Sequence, residues 1–188
     1  DPEAVTTALA LIAAETVDLS AQLATITGGQ VLKATQRQRM TNWFATQGLI
    51  LLNTQGATID EELKTAEGTI KNALSIVREL GRSSTGKYQA MRRWACPDGR
   101  VRGGLLYHGA STGRWSGAGV QPHNFVRGTV KDQVLLWEVL KTLDRDFIRG
   151  EYGSVMLALA NALRGAICAA PGSQLYVADY ASIEARVL

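Results

Sequence analysis

Apolar positions recur at helical spacing through the first half of the chain. From Glu3 to Ile26 the residues Leu9, Ile12, Ala13, Val17, Leu19 and Leu23 alternate with polar ones, predicting one long helix or two short ones closed by Thr27-Gly28-Gly29. Thr35 is placed to cap a second helix that carries Met40, Trp43 and Phe44 and stops at Gly48. Thr58-Ile59-Asp60-Glu61 has the capping-box pattern for a third. Ile70, Leu74, Val77 and Leu80 line one face of a fourth that ends near Gly81, and Ser84 to Ala95 resumes helically.

The texture changes at Pro97-Asp98-Gly99. Val101 to Trp115 is rich in Gly, Leu, Tyr and Thr and reads as β structure, with a hairpin as one option; Ser116 to Gly128 reads as loop. Lys131 to Leu163 returns to helical spacing through Val134, Leu135, Val139, Leu140, Leu143, Phe147, Met156, Leu157 and Leu159. Arg164–Ala169 and Leu175–Asp179 are strand candidates, and the Pro171-Gly172-Ser173 turn predicts that they pair antiparallel. The expected fold class is α+β. A mostly helical arm (1–96) is followed by a small antiparallel sheet with a helical insertion (97–188).

With 188 residues the chain has room for one large domain or two small ones. The sequence has no apolar run that reads as a bilayer span, and the acidic start Asp1-Pro2-Glu3 lacks the basic flank of a signal peptide. Cys96 and Cys168 are far apart, without Cys-x-x-Cys spacing, and read as free thiols of a cytosolic protein. The net charge of +3 decides little, but its distribution does. Acids outnumber bases up to Glu67. Arg78, Arg82, Lys87, Arg92, Arg93, Arg100, Arg102, Arg114, Arg127 and Lys131 then face only Glu79 and Asp98. A clustered basic stretch is either a solvated face or the footprint of a polyanion partner.

Gly81 to Lys87 matches most of a phosphate-binding P-loop. Tyr88, however, stands where a Mg²⁺-binding Ser or Thr belongs, and the segment follows a helical pattern rather than a buried strand. A helix break is the better reading. Gly117-Ala-Gly119 fails as a dinucleotide fingerprint because Pro122 falls at the third glycine. His108 and His123 have no second ligand at helical or strand spacing. Asp179, at the end of an apolar run, either caps the helix that follows or presents a carboxylate to a cleft, with Glu184 close behind.

Val177-Ala-Asp179-Tyr180-Ala-Ser182-Ile183-Glu184-Ala-Arg186 resembles motif A of family A DNA polymerases, D-Y-S-x-I-E-x-R. Thr112-Gly-Arg114-Trp115-Ser116 is similar to the T-G-R-L-S segment that opens the palm in that family. His123-Asn124-Phe125 with Arg127 stands where the family has Q-N-I/L-P-x-R, and Leu163-Arg164-Gly-Ala-Ile167 resembles the basic strand ahead of motif A. The wording YHGASTGRWSG resembles the bacteriophage branch. The match covers about Pro97 to Leu188, and the helices before it are similar, less specifically, to the thumb side. His123, Val126, Ala181 and Ala185 depart from the family's Gln, Pro, Ser and Leu.

The resemblance implies a DNA-directed DNA polymerase acting in a host cytoplasm, with primer–template DNA and deoxynucleoside triphosphates as partners, no membrane, and two Mg²⁺ ions. It implies that Asp179 is the catalytic metal ligand, helped by the backbone carbonyl of Tyr180. Glu184, Ile183 and Ser182 would meet the nucleotide, with Glu184 crowding the sugar 2′ position. Arg114, Thr112, Asn124, His123, Arg127, Arg164 and Lys87 would meet DNA. The family's fingers helix and its His-Asp-Glu motif have no counterpart here, so this is expected to be a partial chain, inactive alone. The alternative is a non-catalytic DNA-binding module or one half of a split polymerase.

Overall fold

A computed structural model describes residues 1–178. The first expectation holds in its simpler form: one helix, α1, spans Pro2–Ile26. Pro2 supplies the preset φ of a first helical position, and the Asp1 carboxylate accepts from the amides of Glu3 and Ala4 at 3.0 and 3.1 Å. The helix ends where the buried Thr27 hydroxyl donates to the Leu23 carbonyl (2.8 Å) and accepts from the Val31 amide (3.1 Å). Gly28 and Gly29 then take left-handed φ values of 59° and 80°, which few other residues reach without strain.

Helices α2 (Arg37–Thr46), α3 (Gly56–Glu62), α4 (Gly68–Leu80) and α5 (Gly86–Trp94) follow. Two start signals belong elsewhere. Thr35 caps nothing; the Gln36 side chain accepts from the amides of Leu32 and Lys33 and folds the turn before α2. The capping box at Thr58 does not form, because α3 begins two residues earlier. The Asn53 carboxamide oxygen accepts from the Gln55 amide and from the Thr58 hydroxyl. Side-chain bonds of this local kind compete with a cap.

A hairpin of two short strands, β1 (Leu105–Leu106) and β2 (Ser116–Gly117), pairs antiparallel with Leu105 opposite Gly117 and Leu106 opposite Ser116. The expected hairpin therefore exists, with its return strand just beyond Trp115. The next helical stretch is three helices: α6 (Gln133–Lys141), α7 (Arg145–Tyr152) and α8 (Val155–Ala162). Leu143 and Gly153, with φ of 58° and 78°, break it, and Asp132, Asp144 and Ser154 cap the pieces. The architecture is α+β: packed helices and, among the described residues, one small antiparallel sheet whose first strand is exposed.

The pair expected from Arg164–Ala169 and Leu175–Asp179 is not present among the described residues. Leu163–Ala166 is a 3₁₀ turn that prolongs α8, because Leu163 and Ala166 are buried in the helical core. The Pro-Gly turn does form, with the Ser173 amide on the Ala170 carbonyl, but Tyr176 and Val177 stand 90% and 95% exposed without a ladder. The apolar run suits a strand, but residues 175–178 form none, because no described neighbour pairs with them.

Two hydrophobic clusters share α1. Its first half, through Ala4, Ala8 and Leu11, packs with Tyr88 of α5, Leu136 and Leu140 of α6, and Leu159 and Leu163. Its second half, through Leu19 and Leu23, packs with Met40, Trp43 and Phe44 of α2 and Leu74 and Val77 of α4. Contrary to the sequence reading, α1 is long and apolar enough to cross a membrane by length and composition. Leu11, Leu19 and Leu23 are buried in the two clusters, whereas Val17 is exposed. Between them Glu15, 3% exposed, accepts from Arg149 at 2.6 Å. Arg145 lies 3.5 Å from Glu15 and also pairs with Asp18.

Candidate nucleic-acid interface

The hairpin and the loop after it carry most of the described residues singled out above. The hairpin closes through the Ala110 amide on the Arg114 carbonyl (3.1 Å) and the Gly113 amide on the Ala110 carbonyl (2.9 Å). Gly113 takes φ 76°, and the His108 ring lies close to where its Cβ would be, so both the turn and the close approach favour glycine. Thr112 and Arg114 sit at this tip, exposed. The tip also carries two exposed aromatic rings, Tyr107 and Trp115, edge-to-face at 5.2 Å.

From Gly117 the chain runs over the core on two buried anchors, Val120 and Phe125. Gln121, held at φ 51°, organises this loop. Its Nε2 donates to the Gly117 carbonyl (3.1 Å), and its Oε1 accepts from Lys87 Nζ (3.3 Å) and Asn124 Nδ2 (3.4 Å). The His123 ring packs over Gly117, leaving no room for a side chain there. Arg164 donates to the carbonyls of Phe125 (3.0 Å) and Val126 (3.1 Å), and the buried Asn161 accepts from the Thr129 amide (2.6 Å). Lys87, the adjacent His123 and Asn124, and Arg164 therefore meet on one loop. Lys87 is bound to Gln121 and its segment follows helix α4, as the helix-break reading requires.

Sequence reasoning missed Gln121 and Tyr107. Gln121 sits in a Gly- and Pro-rich stretch with no periodicity, and only its place between Gly119 and Pro122 marks it. Asp179, Tyr180, Ser182, Ile183 and Glu184 lie outside the described residues. Among the described residues no group of three or more His, Cys, Asp or Glu side chains could hold a metal ion.

Three of the clustered cations are committed to carboxylates. Arg78 binds Asp60 through two bonds (2.6 and 2.9 Å), Arg82 binds Glu79 (2.6 Å), and Arg102 chelates Asp98. The Arg102 guanidinium, with the Arg100 amide, holds the Asp98 carboxyl well below the usual carboxylate range, and Arg78 does the same, less strongly, for Asp60. Arg92, Arg93, Arg100, Arg127 and Lys131 make no ion pair among the described residues. Arg127 opens onto a cleft of about 390 Å³ shared with Arg78, Arg82, Ser83 and Asn161. The surface offers cations, hydrogen-bond donors and bare aromatic faces, a combination suited to phosphates and bases.

No family model matches this chain, and no solved structure matches it. The chain is 34% identical over 152 residues to a DNA polymerase of Bacillus phage SP02. The aligned part is 80% of this chain and 24% of that protein, so the chain spans about a quarter of the length of the curated relative it matches.

Proposed function

We propose that the protein carrying this chain synthesises DNA on a template, by nucleotidyl transfer from deoxynucleoside triphosphates to a primer 3′-hydroxyl. The observation that carries the reading is the 34% identity, over four-fifths of this chain, to a phage DNA polymerase. The loop that gathers Lys87, His123 and Asn124 beside an exposed Arg127 supports it, because a polymerase must hold DNA without reading its sequence. In this reading the chain is of family A, phage type. Residues 1–96 make a thumb-like helical region, and 97–188 begin the palm.

Each chain residue then has a task. Arg114, on the hairpin tip, donates to minor-groove acceptors at the primer end. Both base-pair orientations offer these, so pairing geometry is checked without sequence preference. Thr112, His123, Asn124, Arg127 and Lys87 line the path of the backbone. Arg164 acts through the loop it clamps at the carbonyls of Phe125 and Val126, which makes it a positioning residue. Asp179 and the Tyr180 carbonyl would hold Mg²⁺, which supplies activation of the 3′-hydroxyl and neutralisation of the triphosphate. Glu184, beside Ile183 and Ser182, would exclude ribonucleotides by clash at the 2′ position.

The test is primer extension with Mg²⁺ by the full-length product of the gene. Extension is expected, and Asp179→Ala should abolish it while leaving primer–template binding in place. Undiminished extension by Asp179→Ala overturns the assignment, and DNA binding without extension by the unaltered protein would make it a binding module.

A further inference from the structure

We propose that Tyr107 and Trp115 form a stacking step on the hairpin tip that holds an unpaired base of a DNA strand. The inference rests on the DNA reading above and specifies what its hairpin does.

Both rings are large and apolar, yet Tyr107 is 77% and Trp115 60% exposed. They are not left over from a core. The hairpin turn sets them side by side, 5.2 Å apart with planes at 68°, and the His108 ring continues the row 6.1 Å from Tyr107. The backbone beneath is constrained: His108 has φ 51°, Gly113 has φ 76°, and Gly109 leaves no space for a Cβ against Ser116. In edge-to-face packing the ring that gives its edge keeps its own faces clear of its partner, and a base stacks on such a face.

Charge decides between a base and an apolar protein segment. From Gly86 to Lys131 the sequence holds one acid, Asp98, and Arg102 neutralises it. The hairpin is entered from the Cys96–Val101 turn, tied to the end of α5 by the Cys96 amide on the Arg100 carbonyl and the Ala95–Val101 bridge. That junction places Arg93 and Arg100, both exposed, on the segment that leads to Tyr107. Exposed rings on a hairpin whose leading segment carries arginines without an ion pair have the composition of a single-strand platform: cations track the phosphates, and rings take bases without regard to sequence. A docking protein segment would have to bury these arginines or bring its own carboxylates.

The experiment compares two fluorescent single strands of about 12 nucleotides, oligo-dT and its abasic counterpart with the same phosphates, titrated with the full chain at fixed salt. The intact protein should bind oligo-dT roughly 5- to 160-fold more tightly than the abasic strand, the span expected for one stacked base. The double variant Tyr107→Ala, Trp115→Ala should bring that ratio close to one, while Tyr107→Phe, Trp115→Phe keeps it. Arg93→Ala should weaken both strands alike. Far-UV circular dichroism checks that each variant is folded, which the exposure of both rings favours. A ratio near one in the intact protein, with salt-dependent binding retained, overturns the stacking step and leaves the DNA reading standing. A ratio unchanged by the alanine pair overturns it too. Failure of both strands to bind at low salt overturns both.

Discussion

Removing one oxygen from the core, as Tyr88→Phe, should cost about 1–2 kcal/mol at neutral pH and nothing near pH 11. Tyr88 is fully buried, and its hydroxyl donates to the Leu159 carbonyl at 2.8 Å, joining α5 to α8. Phenylalanine keeps the ring and its edge-to-face contact with Trp137 at 6.5 Å, so no cavity opens. What is lost is one hydrogen bond, about 0.5–1.5 kcal/mol net, plus part of the penalty for an unsatisfied buried carbonyl. The pH dependence follows from burial, which pushes the Tyr88 phenol well above its ordinary value. Above about pH 10 the unfolded chain loses this proton and the folded one keeps it. The contribution is whole below pH 10 and falls by about 1.4 kcal/mol for each further pH unit. The phenyl ring of the variant has no proton to lose, so variant and wild type should reach equal stability near pH 11. Urea titrations at pH 7, 10 and 11 measure both numbers. A stability difference that stays constant through pH 11 would refute the argument, because the phenol would then be ionising inside the folded protein.

Glu15→Ala should cost about 2–3 kcal/mol in the same urea assay. That is less than the roughly 3–5 kcal/mol usual for a broken buried pair, because Asp146 and Asp18 remain to hold Arg149 and Arg145 and both arginines reach solvent. A loss under about 1 kcal/mol would mean that Glu15 itself contributes little to tying α1 to α7. Among the loop glycines, Gly119→Ala should destabilise by about 1–3 kcal/mol and shift tryptophan emission, since Gly119 has φ 58° and its Cβ would enter the Trp94 ring. An unshifted emission spectrum would show that Trp94 does not lie over Gly119.

What the sequence disclosed depends on how local the physics is. Helices α1, α4 and α5 were legible because their apolar stripes repeat with the helical period, and the ends of α1 and α4 because Gly28, Gly29 and Gly81 punctuate them. The starts of α2 and α3 were misread because Gln36 and Asn53, neither a strong signal at its position, captured the local amides. Arg164–Ala169 read as a strand because small apolar residues suit either state. Tertiary burial of Leu163 and Ala166 and the grip of Arg164 on the preceding loop decided for a 3₁₀ turn. The candidate site was legible as a set of basic and polar residues, through resemblance. Its organiser was not, because Gln121 acts through three contacts to residues 4, 34 and 3 positions away, and no periodic pattern encodes such a hub.

The charge pattern itself reads differently once partners are known. The sequence offers a nearly continuous basic stretch from Arg78 to Lys131, yet its first two arginines and Arg102 are committed to Asp60, Glu79 and Asp98. Arg114 aside, the cations of this stretch without an ion pair among the described residues are Lys87, Arg92, Arg93, Arg100, Arg127 and Lys131. Half a dozen cations neutralise about as many phosphates, and such a grip weakens steeply with salt. It cannot by itself distinguish a duplex end from the middle of a duplex, since every phosphate is alike. A surface that must find the place where pairing stops needs a contact available only to a base with one face uncovered. Exposed rings provide that contact at little conformational cost, and among the described residues the hairpin tip is where two of them stand edge to face. In the proposed reading the modest charge and the bare aromatic step divide the work: the first would hold any strand, and the second the strand's unpaired position.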